Sequence, residues 1–462
     1  MAVVLDENAV LDALKTMLGA DSVSAGSSDR ELHSRDQSAH AAHLPDLVAW
    51  SDSTDQVSRL AAYANEHGIP LTGWGAGSSL EGNPIPICGG IVVDFSRMNR
   101  ILEVYAEDFQ VGVQPGVLYK DMNQVLAKYG LFFAPDPGAN ASIGGMVANN
   151  AAGTRTPKYG ATRDNVLALE VVLASGQVLR TGSRSVKQSA GYDLTHLFLG
   201  SEGTLGLITE ATLRLAPIPE HVSAAIATFP STEAAAQAIF EIMGAGLGPA
   251  ALELVNTAAV AAINRAEQFG LVETPNLFLE FHGASEASLT DVLRMVESIC
   301  KEAGCQTYQS GLGREARAHL WQARHRLAEI LIRSHPGLHY AITDVAVPIS
   351  QYPALVSAAQ QGLEKLSPMN SYIVGHAGDG NMHTTTFYDD TAEQRTFVEN
   401  FIDQLVEHAI TLGGTCTGEH GIGIGKRKYM QREHGEVAVQ TMQRIKHLLD
   451  PKGILNPGKI LP

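Results

Sequence analysis

The sequence predicts an α+β protein built from more than one folding unit. Short β-branched runs separated by turns dominate the first half, whereas Ala-rich helical segments mixed with strand-like runs follow from about residue 220. Two prolines, Pro217 and Pro219, lie between the strand-rich region and the helix-rich region, and we expect a domain boundary there. At roughly 150 residues per domain, the 462 residues allow about three folding units.

The first clear helix is predicted from Asp55 to His67. Apolar residues recur along it at helical spacing and would form its buried face: Val57, Leu60, Ala61 and Ala64. Ser53 can cap its N-terminus with Gln56 three residues on, and Gly68 followed by Pro70 would end it.

Strands and further helices follow from the same reasoning. In the first half, β-branched runs predict strands at residues 91–94, 101–104 and 111–113. A hairpin is predicted from Val166 to Ala174, the Ser175-Gly176 turn, and Val178 to Arg180. In the second half, residues 231–243 and 285–303 predict helices, and residues 276–281 and 371–374 predict strands.

The composition excludes several classes of protein and partner. Lys and Arg total 33 against 49 Asp and Glu, and the net charge of −16 argues against nucleic acid and anionic lipid as partners. A hydrophobic content of 45% with 18% charged residues argues against a membrane protein or a disordered chain.

The cysteines and the first residues of the chain allow a prediction of its cellular location. Cys88, Cys300, Cys305 and Cys416 show neither a C-x-x-C pair nor ferredoxin-type spacing, so we expect free thiols and no iron–sulfur relay. Residues 1–8 carry no basic region and no sustained apolar run, which predicts neither a secretory signal nor a transmembrane segment. We therefore expect a cytoplasmic protein, or one peripheral to the membrane.

A glycine-rich loop runs from Leu71 to Asn83. Its alternating glycines would let backbone N–H groups approach a pyrophosphate, although a single loop of this kind is more often an ordinary turn. A Rossmann fingerprint would open a long helix here, and Asp94 lies near the distance expected for its acidic residue. Because Pro84 and Pro86 would break such a helix, Rossmann-type NAD binding is disfavoured.

Two more glycine-rich stretches follow, at residues 135–154 and 199–208. Each alone could be a tight turn. In this order, the three stretches resemble the FAD-binding domain of the vanillyl-alcohol-oxidase superfamily, in which two α+β subdomains clamp an extended FAD. The resemblance spans about residues 40 to 218.

The resemblance implies which residues contact each part of FAD. The pyrophosphate would lie against Trp74, Gly75, Ala76, Gly77, Ser78 and Ser79, with Gly82 and Asn83 nearby. The isoalloxazine or the ribityl chain would be flanked by Pro137, Ser142, Gly145, Asn149, Gly153, Tyr159 and Gly160. The adenosine half would lie near Glu202, Gly203 and Ile208. Members that attach flavin covalently often use a histidine in the first loop, and residues 71–83 contain none, so we expect non-covalent FAD.

Two histidines and one glutamate form a candidate metal site in the second half. His376, His383 and Glu419 could bind a divalent ion, Zn or Mn, and leave open positions for substrate oxygens. The gap between His376 and His383 matches no common zinc-finger or zincin spacing, so spacing alone does not favour a metal. Glycines close to both residues favour a crowded ligand site, where the backbone must leave room: Gly375, Gly378 and Gly380.

These blocks resemble the C-terminal cap domain of FAD-linked D-2-hydroxyacid dehydrogenases. Residues 320–325, 343–350 and 414–427 are most similar to the cytochrome-linked D-lactate dehydrogenases. The resemblance covers nearly the whole chain. It implies an N-terminal segment (1–39), an FAD-binding domain (40–218), a substrate or cap domain with the metal site (219–430), and a C-terminal segment (431–462) that returns to the FAD domain.

The implied activity is oxidation of a D-2-hydroxy acid by hydride transfer to flavin N5. His420 is the candidate base, because imidazole titrates near neutral pH. The metal would polarise the substrate hydroxyl, and Arg324 could pair with the carboxylate, unless it only covers the exposed face of its helix. Electrons would pass to an external acceptor, which is a cytochrome, a quinone or an electron-transfer protein.

The expected substrate is a short monocarboxylate, D-lactate first. In the D-2-hydroxyglutarate enzymes, a lysine that helps hold the distal carboxylate lies two residues before the aspartate matching Asp344, and here that position is Ile342. Three alternatives stay open. They are a D-2-hydroxyglutarate dehydrogenase, a glycolate oxidase catalytic subunit, favoured by Ala377 and Met382, and a non-catalytic flavin-binding subunit of a larger complex.

Overall fold

A computed structural model describes residues 7–462 of the chain. Residues 1–6, which carry most of the segment used to predict the absence of a secretory signal, lie outside the described residues. Helices account for 42% and strands for 22% of the chain, which confirms the α+β class. No helix in the described part is both long and apolar enough to cross a membrane.

The strands are numbered in chain order. They are β1 (Val23–Ser24), β2 (Leu47–Trp50), β3 (Leu71–Trp74), β4 (Ile91–Asp94), β5 (Ile101–Tyr105), β6 (Gln110–Val113), β7 (Leu131–Phe132), β8 (Val166–Val172), β9 (Val178–Gly182), β10 (Leu207–Arg214), β11 (Ala216–Pro217), β12 (His221–Thr228), β13 (Ala251–Val255), β14 (Asn276–Gly283), β15 (Thr307–Leu312), β16 (His339–Ile342), β17 (Val345–Ala346), β18 (Asn370–His376) and β19 (Asn381–Tyr388).

The α-helices are numbered in the same way. They are α1 (Glu7–Leu18), α2 (Ser27–Leu32), α3 (Thr54–His67), α4 (Tyr119–Leu126), α5 (Ile143–Asn149), α6 (Thr156–Tyr159), α7 (Leu194–Phe198), α8 (Thr232–Gly244), α9 (Thr257–Glu267), α10 (Glu286–Glu302), α11 (Gly313–Arg333), α12 (Tyr352–Lys365), α13 (Ala392–Thr411), α14 (Met430–His434) and α15 (Glu436–Leu449).

The predicted local elements are present. Helix α3 confirms the amphipathic helix: the Ser53 side chain accepts a hydrogen bond from the Gln56 backbone N–H, and Gly68 ends the helix in the left-handed conformation. Strands β8 and β9 pair antiparallel and confirm the hairpin. Helices α8 and α10 and strands β4, β5, β6, β14 and β18 lie where the hydrophobic patterns predict them.

The described chain divides into two compact units. Unit 1 contains residues 7–152, Ala161–Ile218 and Glu419–Pro462, and unit 2 contains Gly153–Gly160 and Pro219–Gly418. Unit 2 thus includes a short segment from the first half of the chain, and this segment contains α6.

Unit 1 contains two principal sheets. One has the order β1-β2-β4-β3, with β2 and β3 both parallel to β4, and the buried face of α3 packs in its core cluster. The other is antiparallel, with the order β5-β6-β10-β8-β9. The end of the chain is tied to β3, because Leu71 N donates to Ile454 O and Asn456 N donates to Leu71 O, both at 2.7 Å.

Unit 2 is built on one antiparallel sheet with the order β15-β12-β14-β13-β18-β19-β16, and β17 pairs with β19. Helices α9 and α11 cover one face, where residues of β13, β14 and β18 join them in a single apolar cluster around the fully buried Trp321. This face also carries the charged and imidazole side chains of the site in unit 2.

Candidate active site

The three glycine-rich stretches lie together in unit 1. A Cβ atom at Gly75 would stand 2.2 Å from Ser142 Oγ, so the first and second stretches touch there and a side chain at this position would displace Ser142. Asn149 Nδ2 donates to Ser79 Oγ at 3.4 Å, and Glu202 N donates to Ala148 O at 2.8 Å. Small residues of the three stretches therefore gather at one place, which fits the pyrophosphate of a dinucleotide.

Glu202 joins the block after residue 419 to these stretches. Its carboxylate accepts hydrogen bonds from Ile422 N at 2.7 Å and Gly423 N at 2.9 Å, and Glu202 itself has a positive φ of 50°. Burial raises the pKa of Glu202, against the backbone donors that lower it. A Cβ atom at Gly421 would stand 2.8 Å from both Glu202 and Asn83, so a glycine is required there as well.

His420, the candidate base, also belongs to unit 1. Its backbone carbonyl accepts a hydrogen bond from Asn149 Nδ2 at 3.4 Å, and its Nε2 lies 3.8 Å from Glu419 Oε1. The structure therefore brings His420 beside Asn149, one of the residues that the resemblance assigns to the flavin. Ser142 and Gly145 open helix α5 close by, because Gly145 N donates to Ser142 Oγ.

The C-terminal segment supplies two polar residues that the sequence analysis missed. Asn456 Nδ2 donates to the carbonyls of Glu202, at 2.6 Å, and Asn83, at 3.0 Å. Lys459 Nζ donates to Ile85 O at 2.5 Å, and burial lowers the pKa of Lys459 to about 8. The turn-rich Asn456-Pro-Gly-Lys459 sequence was the available signal, but its partners are more than 250 residues away along the chain.

In unit 2, the structure brings His376 and His383 together. Their ring centroids are 5.2 Å apart and nearly perpendicular. His376 Nδ1 lies 2.9 and 3.0 Å from the carboxylate oxygens of Glu253, and His383 Nδ1 lies 3.1 Å from Thr343 O. These contacts hold each ring through Nδ1, which acts as the donor.

Asp344 lies beside His383 and is fully buried. Its carboxylate accepts hydrogen bonds from Asn381 Nδ2 at 2.8 Å and Thr417 Oγ1 at 2.7 Å, and Oδ1 is 3.7 Å from His383 Nδ1. Gly418 N donates to Asp344 O at 3.0 Å. Glu419, the third predicted ligand, follows Gly418 directly in the sequence and is the first residue of the last segment of unit 1.

Arg324 lies on α11 and contacts Glu253. Its Nε and Nη2 lie 3.0 and 2.5 Å from Glu253 Oε2. Glu253 is fully buried and was not predicted as a site residue. A charged residue inside the apolar run Ala251–Val255 was the signal for it, but its two partners lie 71 and 123 positions away.

A second polar chain runs along the same face of unit 2. Tyr159 Oη lies 2.7 Å from His282 Nδ1, and His282 Nε2 lies 2.7 Å from Glu280 Oε1. Arg317 Nε donates to Glu280 Oε2 at 2.6 Å, and Arg317 Nη1 lies 3.1 Å from His325 Nε2. The His282 and Arg317 contacts outweigh burial and hold the pKa of Glu280 at about 2. Tyr159 is thus fixed by groups that the sequence analysis did not connect with it.

The remaining FAD candidates are divided between the units. Gly153 and Gly160 accompany Tyr159 in unit 2. The others lie in unit 1: Trp74, Ala76, Gly77, Ser78, Gly82, Pro137, Gly203 and Ile208. Trp74 packs against His33, which is paired with the buried Asp94 at 2.9 Å. Asp94 therefore has a structural partner in the first sheet.

Comparisons with known families and proteins give a consistent result. The family described as "FAD linked oxidases, C-terminal domain" matches residues 218–460, and the family described as "FAD binding domain" matches residues 45–182. A probable mitochondrial D-lactate dehydrogenase of Danio rerio is 40% identical over 98% of this chain and 91% of its own length.

Two other relatives and one solved structure extend these comparisons. A mitochondrial D-lactate dehydrogenase [cytochrome] of Arabidopsis thaliana is 40% identical over 98% of this chain and 80% of its own length. A glycolate oxidase subunit of Bacillus subtilis is 36% identical over 98% and 96%. The 4-ethylphenol oxidase of Gulosibacter chungangensis superimposes with a TM-score of 0.81 at 21% identity, covering 100% of this chain and 98% of that one, which confirms the vanillyl-alcohol-oxidase type of fold.

Proposed function

The chain belongs to the FAD-linked oxidases and is an FAD-dependent oxidoreductase, and on that premise we propose that it oxidises D-lactate, or a similarly short D-2-hydroxy acid, to the 2-keto acid. The observation that carries this proposal is the 40% identity, over 98% of the chain, to proteins named D-lactate dehydrogenase. An external acceptor of the cytochrome, quinone or electron-transfer protein type then receives the electrons. The names of the relatives describe them as mitochondrial, which says where those proteins are found and not where this one is. A cytoplasmic location therefore stays a prediction.

FAD supplies a hydride acceptor when it is bound. The groups that we propose hold it are the three glycine-rich stretches of unit 1, together with Gly153, Tyr159 and Gly160. The close approach of the Ser142 side chain to Gly75 supports this assignment. Binding is non-covalent in the proposal, since residues 71–83 contain no histidine. Acid precipitation should release the yellow colour into solution, and colour retained in the pellet would reject non-covalent binding.

We propose that His376, His383 and Glu419 hold a divalent zinc or manganese ion. Such an ion polarises the substrate hydroxyl when it is bound. The support is that Glu253 and the Thr343 carbonyl accept from Nδ1 of the two imidazoles and so fix their orientation, as hydrogen-bond partners behind metal-binding histidines do. Asp344 is kept in the hydrogen-bond network of Asn381 and Thr417, where it orients the loop that leads to Glu419.

Two side chains of this protein are proposed to accept the hydroxyl proton and to bind the substrate carboxylate. We assign the hydroxyl proton to His420 as the base, because its backbone is held beside Asn149 among the proposed flavin residues. We assign the carboxylate to Arg324. Since Nε and Nη2 of Arg324 contact Glu253, Nη1 is the guanidinium nitrogen that remains for the substrate.

One experiment separates this proposal from its alternatives. Purified protein is mixed anaerobically with D-lactate, L-lactate, glycolate, D-2-hydroxybutyrate or D-2-hydroxyglutarate, and flavin absorbance is followed. Fastest bleaching by D-lactate is the expected result. A flavin that no acid bleaches would favour the non-catalytic subunit. Turnover of glycolate that needs added partner subunits would favour a glycolate oxidase assembly, and fastest bleaching by the dicarboxylate would favour the hydroxyglutarate enzyme.

A further inference from the structure

Glu253 stands at the centre of the unit 2 site without being one of its proposed ligands. It lies in the middle of β13, is 0% exposed, and is directly opposite His376 in the antiparallel register of β13 and β18. Residues that face each other across such a pair have side chains on the same face of the sheet. The fold itself therefore presents the carboxylate to the His376 ring.

The carboxylate of Glu253 contacts two functional groups at once. Both of its oxygens lie within 3.0 Å of His376 Nδ1, while Oε2 also accepts from Nε and Nη2 of Arg324. A buried carboxylate is tolerated only when its charge is compensated and its lone pairs are used. Here one cation and one imidazole N–H meet both needs.

We infer that Glu253 is a positioning residue that couples the proposed metal site to the proposed substrate-carboxylate site. Through His376 Nδ1 it fixes the tautomer and the orientation of a proposed metal-binding ring. Through Arg324 it fixes the guanidinium so that one nitrogen faces the substrate. This inference rests on the proposed function, because it takes His376 as a metal ligand and Arg324 as the carboxylate partner.

The neighbouring strand offers a matched control. Glu280 on β14 also joins a histidine, His282, to an arginine, Arg317, and it is 3% exposed. Arg317 and Arg324 lie seven residues apart on α11, so each carboxylate is paired with an arginine from the same side of one helix. His282, however, contacts Tyr159 and is not a proposed metal ligand.

The test compares E253Q with E280Q in the FAD-loaded protein after metal removal by a chelator. Titration with Mn²⁺ and with Zn²⁺ gives the metal affinity, and titration with pyruvate gives the affinity for the product carboxylate. A glutamine amide carries no charge and has one acceptor oxygen instead of two, so it holds His376 and Arg324 less firmly than the carboxylate does. We expect E253Q to bind metal about 10–100-fold more weakly and to bind pyruvate more weakly, whereas E280Q keeps the wild-type metal affinity.

Two results would overturn the inference alone: wild-type metal affinity in folded E253Q, or an equal loss in E280Q, which would make the effect a general consequence of removing a buried charge. If E253Q does not fold, Glu253→Asp keeps the charge but shortens the reach, and it should show the same metal loss. A wild-type protein that takes up neither ion would overturn the proposed metal site, and this inference with it.

Discussion

Each imidazole of the unit 2 site is held through Nδ1, so in our proposal Nε2 is the atom that would bind the metal. Removing His383 leaves two proposed ligands, which cannot fix a coordination geometry. H383A should therefore lose metal content and turnover together, with metal affinity reduced by at least about 10-fold. Elemental analysis beside steady-state turnover measures both. H319A, an exposed histidine on α11, is the control and should keep both. Full turnover in metal-free H383A would contradict the metal assignment.

The lowered pKa of Glu280 leads to a prediction about how the stability of the folded protein depends on pH. His282 and Arg317 lower its pKa from 4.5 to about 2, so its ionised form stabilises the folded protein. Because the folded pKa lies below the unfolded one, this contribution, roughly 3 kcal/mol, is fully present above pH ~4.5 and is lost as the pH falls towards 2. The melting temperature of the wild type should therefore exceed that of E280Q at neutral pH, and the difference should shrink below pH ~4.5.

E315Q, which alters an exposed glutamate on the same helix as Arg317, is the control for this prediction. It should melt like the wild type throughout the range. A gap between wild type and E280Q that stayed constant from neutral pH down to pH ~3 would show that Glu280 contributes through packing and not through its charge.

The candidate residues visible in the sequence are those whose signal is local. His376 and His383 share one block with three glycines, and the FAD candidates lie in glycine-rich stretches. For Glu253, Glu280 and His282 the only local signal is a polar group inside an apolar strand, and in Glu280 and His282 the spacing of two that places both on one face. Their partners Arg324, Arg317 and His376 come from α11 and from another strand, so only the folded sheet brings those groups together.

At the level of secondary structure elements, the contact between the first two glycine-rich stretches depends on Gly75. A Cβ atom there would lie 2.2 Å from Ser142 Oγ, at the N-terminus of α5. G75A should displace the Ser142 side chain, which caps α5, at a cost of about 1–3 kcal/mol, and if the whole cost falls on the cofactor-bound form this corresponds to about 5- to 150-fold weaker FAD binding. FAD titration of the apoprotein, followed by flavin fluorescence, measures the change.

Gly138 provides the control for Gly75, because a Cβ atom there would meet nothing within 4 Å. It lies in the second glycine-rich stretch, so G138A adds the same methyl group to the same region without a clash. Equal FAD affinity in G75A and G138A would mean that the contact between the stretches does not shape the cofactor site.

Local elements were predicted well, but their assembly was not. The cap at Ser53, the stop at Gly68 and the turn between β8 and β9 are properties of a few neighbouring residues. The order of the sheet in unit 2 places β13 beside β18, whose sequences are more than 100 residues apart. Pairings at such separation depend on the packing of the whole sheet, which short sequence windows do not contain. The inclusion of Gly153–Gly160 in unit 2 is of the same kind.

For the whole molecule, the chemistry is divided between the two units. Unit 1 holds the three glycine-rich stretches and His420, whereas unit 2 holds His376, His383 and Arg324. Each set is built by contacts within its own unit: Glu202 ties the block after residue 419 to the glycine-rich stretches, and Glu253 ties Arg324 to His376. In our proposal, the side chains of unit 2 that would surround the substrate therefore determine which hydroxy acid the protein prefers.

Ile342 is the residue on which we expect that choice to depend. It ends β16, at the edge of the sheet, and the next residue, Thr343, accepts the hydrogen bond from His383 Nδ1 through its carbonyl. A half-buried isoleucine one residue from this contact offers a methyl group an apolar wall, and it offers a second carboxylate no cation. The wild type should therefore have a higher kcat/KM for D-lactate than for D-2-hydroxyglutarate, measured with a dye acceptor.

I342K should move this preference towards the dicarboxylate. A lysine at this position can donate to the distal carboxylate, and a hydrogen bond to a charged group contributes about 1.5–3 kcal/mol, or about 10- to 100-fold in the ratio of the two kcat/KM values. The control is A341K, which adds the same charge one residue earlier, where alternation along β16 turns the side chain to the opposite face of the sheet. The ratio should change in I342K and stay at the wild-type value in A341K. A wild-type preference for D-2-hydroxyglutarate or L-lactate would contradict the substrate proposal, and an equal change in both variants would show that the added charge acts at a distance and not at this wall.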